Sequence, residues 1–496
     1  MTTTAPTEEE KPRQYGFFGH PFALSTLFAT EFWERFSYYG MKALLIYYMY
    51  YQVTEGGLGI DQGLATALMS VYGALVYMAG IPGGWIADRL LGAQRSVALG
   101  AVLIMCGHIV LSLPGGGLGG LYGSMVLIVL GTGLLKTNTS KIVGDLYDEK
   151  DVRRDAGFSI FYMSVNAGGF IAPLVLGPLR DLGGFHLGFL AAAIGMAIGL
   201  VWYIGTRKVL KSAGQQPPNP IGAGERKRAF SVLGLVILVV AVYLLVLAVT
   251  GALTADVVIY SISGLAFIAP VSYFTIMLRS KKSTPVEKSR LVAFIPLFIV
   301  SMFFWMIQEQ GANIGAVFAD KRTDLHIFGW SINPEFFQSI NPLAIVILAP
   351  VFAYVWTRLG TRQISTPVKF GIGGIIGGIS FLILVFPGWI SGTDAKVSPW
   401  WLFSSFVVVV LGELLISPVG LSATTKLAPA AFTSQMMGLW FLNNAAGQGI
   451  NALITPLYSA DTETGYFLIV GAVPIVASLV LLAMAPWIKK KMMGVP

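Results

Sequence analysis

Long apolar stretches alternate with short polar segments along almost the whole chain. A helix needs roughly 20 residues to cross the ~30 Å hydrocarbon core of a bilayer, and these stretches reach that length. The pattern predicts fourteen transmembrane helices, near residues 21–51, 62–87, 95–113, 119–139, 156–179, 186–205, 229–250, 256–278, 291–317, 335–357, 367–388, 399–424, 433–459 and 465–487. No soluble domain fits between them, so the sequence predicts an all-α integral membrane protein.

Composition agrees with this pattern. Of the 496 residues, 55% are hydrophobic and 12% are charged, whereas soluble proteins carry about 25% charged residues. The polar first twenty residues lack the apolar stretch and cleavage site of a signal peptide, so we expect the first span to be retained. The single cysteine, Cys106, excludes a disulfide or a cysteine-based metal site within one chain.

The basic residues lie in clusters at the predicted helix ends. A net charge of +8 is compatible with nucleic-acid binding, but that function requires a continuous basic surface, so we expect no nucleic-acid partner. If the amino terminus is cytoplasmic, the predicted exterior loops carry only Arg180, Lys321, Arg322 and Lys396. The interior loops then carry Arg89, Arg95, Arg153, Arg154, Lys489, Lys490, Lys491 and the basic residues of 207–228 and 279–290. This bias predicts a multi-pass protein of the plasma membrane with both termini cytoplasmic.

A weak internal repeat divides the chain. GGWIADRLLGAQR, residues 83–95, ends the second predicted span, and a shorter echo, WTRLGTR at 356–362, follows the tenth. The predicted organisation is a tail at 1–20, a six-helix bundle at 21–205, a cytoplasmic linker at 206–228, two additional helices at 229–280, a second six-helix bundle at 288–488 and a tail at 489–496. Two parallel halves with a site between them are typical of secondary transporters. Two unrelated bundles that share a basic loop are the alternative.

Seven ionisable side chains fall inside the predicted spans. They are Glu31, Glu34, Arg35, Lys42, Lys136, Glu309 and Glu413. Each costs about 2.5 to 3.5 kcal/mol at the centre of a membrane helix, so we expect them to face a wet cavity.

Four of these charges lie on one face of the first helix. Glu31, Glu34, Arg35 and Lys42 share that face with Tyr38, and the i, i+4 spacing lets Glu31 pair with Arg35. A buried ion pair that only fixes helix packing is the alternative interpretation of the first three.

The signs of the charges differ between the two halves. Lys42 and Lys136 belong to the first bundle, and Glu309 and Glu413 belong to the second. A cleft with such walls suits a zwitterion, and when empty its charges can pair across it as gates. The seven charges sum to minus one, which a single proton would neutralise, and Glu31, Glu34 and Glu309 are the predicted proton carriers.

Mid-span aromatic residues can line the same cavity, although ordinary packing explains each of them equally well. They are Tyr38, Tyr39, Tyr72, Trp305 and Trp440. No HExxH motif, Cys/His cluster or phosphate-binding glycine loop occurs, so the sequence predicts no enzyme, no metal and no cofactor apart from the coupling proton.

Six motifs in order carry a family resemblance. They are EFWERFSYYGMKALL from Glu31, GTGLLKTNTSKIVGDLY from Gly131, FSIFYMSVNAGGFIAP from Phe158, FFWMIQEQGAN from Phe303, QSINPLAIVILAPVFA from Gln338 and GELLISPVGLSATTKLAP from Gly412. Over essentially its whole length, the chain resembles the proton-dependent oligopeptide transporters of the major facilitator superfamily. The resemblance implies two six-helix bundles with two added helices, and symport of di- and tripeptides, with peptide-like drugs as further substrates.

The resemblance also implies residue roles. The ExxER residues Glu31, Glu34 and Arg35 couple protons to transport, and Glu309 is a further protonation site. Lys42 and Lys136 contact the peptide carboxylate, while Glu413, Asn166 and Asn341 meet its amino terminus. Ser417, one turn after Glu413, completes the expected substrate-binding set. The implied gate pairs are Lys42 with Glu309 and Lys136 with Glu413.

Two positions depart from the family pattern. Lys42 replaces the usual arginine, so that a two-pronged carboxylate contact becomes a point charge, and Thr137 replaces a proline. A carrier of nitrate, another organic anion or a drug is the alternative function, but such relatives tend to lose parts of ExxER, which is intact here. We expect the protein to function as a monomer.

Overall fold

The structure is a computed structural model that describes residues 16–148, 151, 153–327 and 329–494. Residues 1–15 of the predicted amino-terminal tail, and residues 495 and 496 of the carboxyl-terminal tail, lie outside the described residues. The final helix continues to Lys491, so the predicted tail from 489 begins within a helix.

Apolar helices make up the first half of the chain. They are α1 (Ala23–Tyr50), α2 (Gln62–Ile86), α3 (Ala93–Ser112), α4 (Gly117–Asp145) and α5 (Arg154–Thr206). The 53-residue α5 is interrupted at Gly183 and Gly184, where the backbone leaves the helical region. Gly184 has a φ of 77°, a conformation that favours glycine. The interruption separates α5 into two segments, which correspond to the predicted spans at 156–179 and 186–205.

The rest of the chain is also helical. Its helices are α6 (Ala223–Val249), α7 (Ala255–Arg279), α8 (Pro285–Gln310), α9 (Ile314–Lys321), α10 (Ile340–Leu359), α11 (Thr366–Leu382), α12 (Val385–Ser391), α13 (Pro399–Leu427), α14 (Thr433–Ile454) and α15 (Glu463–Lys491). A two-residue antiparallel pair, β1 (His326–Ile327) and β2 (Trp330–Ser331), follows α9. The prediction of an all-α protein is confirmed.

Some predicted bounds differ from the helix ends in the structure. The linker was expected to extend to residue 228, but α6 begins at Ala223. The predicted span 291–317 is divided between α8 and α9, and 367–388 between α11 and α12. The break between α11 and α12 lies inside apolar sequence, where hydropathy carries no signal of a turn. The break between α8 and α9 lies at residues 311–313, a polar segment that the span prediction did not use.

Eleven helical stretches in the described part of the chain are long and apolar enough to cross a membrane. The fourteen predicted spans differ from this count for three reasons. Four charges lower the hydropathy of α1, asparagine and glutamine lower that of α14, and α5 counts as one stretch although it contains two predicted spans. The number fourteen therefore stays a prediction.

The same close helix contact occurs in both halves. A Cβ atom on Gly100 of α3 would lie 2.6 Å from the carbonyl oxygen of Gly131 in α4, and one on Gly412 of α13 would lie 2.7 Å from that of Gly373 in α11. Only glycine allows backbones to approach this closely, as in other membrane helix pairs. The added helix α6 packs differently, because its apolar side chains are exposed along its length, as expected for a lipid-facing helix.

Hydrogen bonds connect the two halves at one end of the molecule, which we call the joined end (residues 50–51, 180–181, 320 and 333–335). The hydroxyls of Tyr50 and Tyr51 donate to the carboxylate of Asp320 in α9, at 2.7 and 2.8 Å. Two further contacts across this end are Arg180–Glu335 and Asn333–Asp181. The halves are therefore held together on this side of the site described next.

Candidate functional site

Glu31, Glu34 and Arg35 form a buried charged group on α1. The guanidinium Nε of Arg35 lies 2.9 Å from Glu31 Oε1 and 2.7 Å from Glu34 Oε2. Thr139 of α4 donates to the other oxygen of Glu31 at 3.0 Å. All four residues belong to the first half of the chain. The Glu31–Arg35 contact is the i, i+4 pair that the spacing predicts.

Glu34 is the least satisfied member of this group. Its side chain is fully buried, and neither carboxyl oxygen has a hydrogen-bond partner among the described residues. Its contact with Arg35 is close but lacks hydrogen-bond geometry. The Arg35 guanidinium also lies over the rings of Tyr38 and Tyr39, 5.6 and 5.9 Å from their centroids. The group therefore holds two carboxyls against one cation.

A second charged contact crosses between the halves. Lys42 Nζ of α1 donates to Glu309 Oε2 of α8 at 2.9 Å. Tyr77 of α2 donates to the other Glu309 oxygen at 2.5 Å, and Gln448 of α14 donates to Oε2 at 2.9 Å. The carboxylate of Glu309 is thus held by two residues of the first half and one of the second.

The other predicted gate pair is not formed. Lys136 Nζ lies 4.9 Å from the centroid of the Tyr77 ring, and no ion pair joins it to Glu413 in the residues that the structure describes. Glu413 Oε2 instead accepts hydrogen bonds from Gln308 Nε2 at 2.9 Å and Asn341 Nδ2 at 3.4 Å, both from the second half. In this structure one predicted pair is closed and the other is open.

The remaining predicted residues differ in their surroundings. The rings of Tyr38 and Tyr72 lie 6.5 Å apart, and the Tyr72 hydroxyl is buried without a hydrogen-bond partner among the described residues. Trp305 packs on Phe304, and its indole nitrogen lacks a partner in the same part of the chain.

The other three predicted residues are Trp440, Asn166 and Ser417. Trp440 is buried against Phe370. Asn166 donates to the carbonyl of Tyr162 in its own helix, and Ser417 is half-buried. In the described part of the chain, none of these three side chains forms a hydrogen bond with a residue of the charged pairs.

Sequence reasoning missed the neutral polar residues around the charges. Tyr77, Thr139, Gln308 and Gln448 each contact a predicted charged residue directly, but uncharged side chains do not stand out in a hydropathy pattern. A signal was present in α14, where asparagine and glutamine recur in a membrane helix, at Asn443, Asn444, Gln448 and Asn451.

The site can bind a charged ligand, because its lysines and carboxylates can exchange their present partners for groups of the ligand. Across the described residues there is no cluster of His, Cys, Asp or Glu that could hold a metal ion. Its two lysines lie in the first half, whereas Glu309 and Glu413 lie in the second. A zwitterion that bridges the halves would therefore meet positive charge on one side and negative charge on the other.

Comparison with known proteins assigns the family. The model of the POT family matches residues 94–475, which is more than half of the chain. The protein belongs to the POT family. This confirms the resemblance carried by the six motifs, and it confirms a family of membrane transporters rather than enzymes.

Relatives and solved structures of the POT family match over nearly the full length. The di-/tripeptide transporter of Lactococcus lactis subsp. cremoris is 46% identical, and the match covers 96% of this chain and 97% of the relative. A crystal structure of a peptide transporter POT in complex with sulfate has a TM-score of 0.95 and 54% identity, with 98% of both chains covered. A POT family transporter in complex with a thioalcohol-conjugated peptide has a TM-score of 0.93 and 48% identity, with 97% and 99% covered. The predicted major facilitator fold is thereby confirmed.

Proposed function

We propose that this POT family member is a proton-coupled symporter that imports di- and tripeptides by alternating access. The observation that carries the proposal is the Lys42–Glu309 ion pair across the two halves, with the carboxylate of Glu413 on the same half as Glu309. The names of the relatives, which include a di-/tripeptide transporter and a peptide-bound transporter, support peptides as the substrate class.

The charges match the two ends of a short peptide. Its carboxylate would contact Lys42 and Lys136, and its ammonium would contact Glu413 beside Asn341 and Asn166. Glu413 now accepts only neutral amide donors, which an ammonium group can displace because a charge-assisted hydrogen bond is stronger. A carboxylate that binds Lys42 competes with Glu309 for the same Nζ, so substrate binding would loosen a contact between the halves.

Aromatic rings would cover the middle of the peptide. Tyr38, Tyr39 and Tyr72 are close to the charged group of α1. Trp305, Trp440 and Ser417 would contribute from the second half. Contacts of this kind accept many side chains and peptide-like drugs, because they depend on shape and apolar area rather than on one hydrogen-bond pattern.

The proton would be carried by the ExxER group and by Glu309. With Arg35 charged, Glu31 and Glu34 together leave one excess negative charge, which one proton balances. Glu34 suits that proton because its oxygens have no hydrogen-bond donor among the described residues and a buried carboxylate without a donor is costly. Protonation of Glu309 would remove its attraction to Lys42, which gives proton binding a direct effect on the contact between the halves.

The proposed orientation places the joined end outside the cell and both termini in the cytoplasm. The proton is the only coupling species that the proposal needs, and one chain contains both halves of the site, so a monomer is sufficient. The structure would then represent a conformation closed towards the exterior.

Uptake into sealed liposomes tests the proposal. Purified protein is reconstituted, an inward proton gradient and an inside-negative potential are imposed, and accumulation of a labelled dipeptide is measured for wild type and Glu413→Gln. We expect wild-type accumulation that an uncoupler abolishes, and its loss in the variant. Asp461→Asn, which removes an exposed acid, is the matched control.

Either failure is informative. Absence of wild-type accumulation in vesicles shown to be energised would contradict peptide symport and favour a small organic anion, nitrate or a drug as substrate. Full accumulation by Glu413→Gln would contradict the ammonium-binding role alone, because an anion or peptide could then bind without that acid.

A further inference from the structure

A cavity of about 360 Å³ lies where the chain leaves α5 and crosses the start of α3. We call it the basic cavity. Its lining is Gln94, Arg95, Arg207, Lys208, Lys211 and Gln215. Four of these six side chains are cationic and none is acidic. No residue of the proposed peptide site belongs to this lining.

Three of the four cations in the basic cavity form no ion pair in the described part of the chain. Some other cations at this end of the molecule have acidic partners, in the pairs Arg89–Glu225, Lys141–Asp88 and Arg153–Asp151. The hydrogen bond from Arg153 lowers the pKa of Asp151 to about 2, so that pair stays ionised at any physiological pH. Within the described ranges, Arg95, Arg207 and Lys208 form no ion pair. Their mutual repulsion is therefore not offset by a direct ion pair.

The backbone around the basic cavity is held in place by hydrogen bonds. The side-chain nitrogen of Gln94 donates to the carbonyls of Lys211 at 3.0 Å and Ala213 at 2.8 Å. Its backbone nitrogen donates to Gly214 at 2.9 Å, and Tyr203 donates to its carbonyl at 2.9 Å. The segment after α5 is therefore docked on the start of α3, and this docking brings the like charges together.

The basic cavity adjoins a surface that faces lipid. The last turns of α5 expose Val201, Trp202 and Ile204, with 71%, 44% and 51% of their surface accessible. Apolar side chains in such positions are covered by lipid tails, and a tryptophan near a helix end is typical of the membrane interface. Arg207 and Lys208 follow immediately, so the cavity lies at the level of lipid headgroups.

We propose that the basic cavity binds a phosphoryl group, carried by the headgroup of an anionic phospholipid or by a free phosphate. Arginine side chains match the oxygens of a phosphoryl group with paired hydrogen bonds. Basic pockets beside membrane helices are suited to anionic headgroups, and the volume accommodates one. A phosphoryl group there would connect Arg95 of α3 with Arg207 and Lys208 of the following segment, and would stabilise their docking.

Binding to the detergent-purified, full-length protein tests this. The midpoint of thermal unfolding is measured while dioctanoyl phosphatidylglycerol, dioctanoyl phosphatidylcholine or inorganic phosphate is titrated, the last against sodium chloride at equal ionic strength. Wild type is compared with the triple variant Arg95→Gln, Arg207→Gln, Lys208→Gln. The control variant, Lys489→Gln, Lys490→Gln, Lys491→Gln, removes the same number of charges at the end of α15.

We expect phosphatidylglycerol, and not phosphatidylcholine, to raise the midpoint of the wild type. The triple variant should have an apparent dissociation constant at least about tenfold higher, and the control variant should equal wild type. A response to phosphatidylglycerol alone assigns the cavity to lipid, and a response to inorganic phosphate as well assigns it to the phosphoryl group from either source.

Two results would overturn the proposal. One is equal stabilisation of wild type and triple variant by phosphatidylglycerol, and the other is an equal response to the anionic and the neutral lipid. If the triple variant does not fold, Lys208→Gln alone should weaken binding by roughly fivefold, and native mass spectrometry of bound phosphatidylglycerol measures this directly.

Discussion

The two charged groups on α1 lie within three turns of each other and yet are built differently. Glu31, Glu34 and Arg35 find all their ionic partners within α1, and Thr139, which also contacts this group, belongs to the same half. Lys42 finds its ionic partner, Glu309, in the other half. When the halves separate, the first group can stay intact, whereas the Lys42–Glu309 pair must break.

Under the proposed symport the two groups would have different roles: the first would store the proton, and the second would sense the position of the halves. A charge balance confined to one half is independent of the conformation, so a proton held there can travel through the whole cycle. A pair between the halves contributes its energy only when they are in contact, so any ligand that competes for it changes the conformational equilibrium. Substitutions that alter one group at a time test this division.

The largest effect is expected for Glu34→Gln. One charge that moves through 100 mV with one pH unit supports accumulation of several hundredfold, and the variant should lose all of it because it no longer has the excess negative charge that a proton balances. Exchange of labelled for unlabelled dipeptide across the vesicle membrane should remain. Driven uptake at the level of the Asp461→Asn control would rule out the coupling role of Glu34.

The next largest effect is expected on the stability of the folded protein, which should fall by different amounts when each of the two charged groups is disrupted. Arg35→Leu leaves two buried carboxyls without a cation, and loss of one partner from a buried ion pair costs about 3 kcal/mol or more. Lys42→Leu should cost less, because Tyr77 and Gln448 still donate to Glu309. Midpoints of thermal unfolding in detergent measure both, with Arg35→Lys as the charge-preserving control. Equal loss of stability in the two leucine variants would contradict the division.

How much of this was predictable can be judged from α1. Its helical periodicity placed Glu31, Arg35 and Lys42 on one face, and the Glu31–Arg35 pair is present at 2.9 Å. The partners of Glu309 were only partly foreseen. Lys42 followed from the family resemblance, but Tyr77 and Gln448 did not, because a neutral polar side chain changes hydropathy little and its partner lies on a helix distant in sequence.

The conformation of the protein also could not be predicted from the sequence. The sequence indicates that Lys136 and Glu413 carry opposite charges in different halves, but it does not state which gate pair is closed in a given conformation. In the structure Lys136 lies on the Tyr77 ring and Glu413 accepts amide hydrogen bonds. Each of the two charges therefore has another partner in this conformation, and formation of the predicted pair would depend on the relative position of the halves.

A measurement of the distance between the two halves tests the difference between the two charged groups of α1 more directly. Spin labels at Val53→Cys and Trp330→Cys, both highly exposed, report the separation of the halves near the joined end in a Cys106→Ser background. Glu309→Gln weakens a charge-assisted contact and should raise the ratio of separated to joined molecules roughly tenfold.

The matched variant is Glu31→Gln, which alters the group confined to one half and should leave the distance distribution unchanged. If Glu31→Gln shifts the distribution as much as Glu309→Gln, the first group also depends on conformation and the proposed division fails.

The smallest effect is expected at the joined end itself. Tyr51→Phe removes one of two hydroxyls that donate to Asp320, while Tyr50 retains its hydrogen bond at 2.7 Å. One hydrogen bond contributes about 1 kcal/mol, so the same spin-label ratio should rise about fivefold. Tyr48→Phe is the control, because the Tyr48 hydroxyl has no hydrogen-bond partner among the described residues. A change in the control equal to that in Tyr51→Phe would show that ring packing, rather than the contact with Asp320, holds the joined end together.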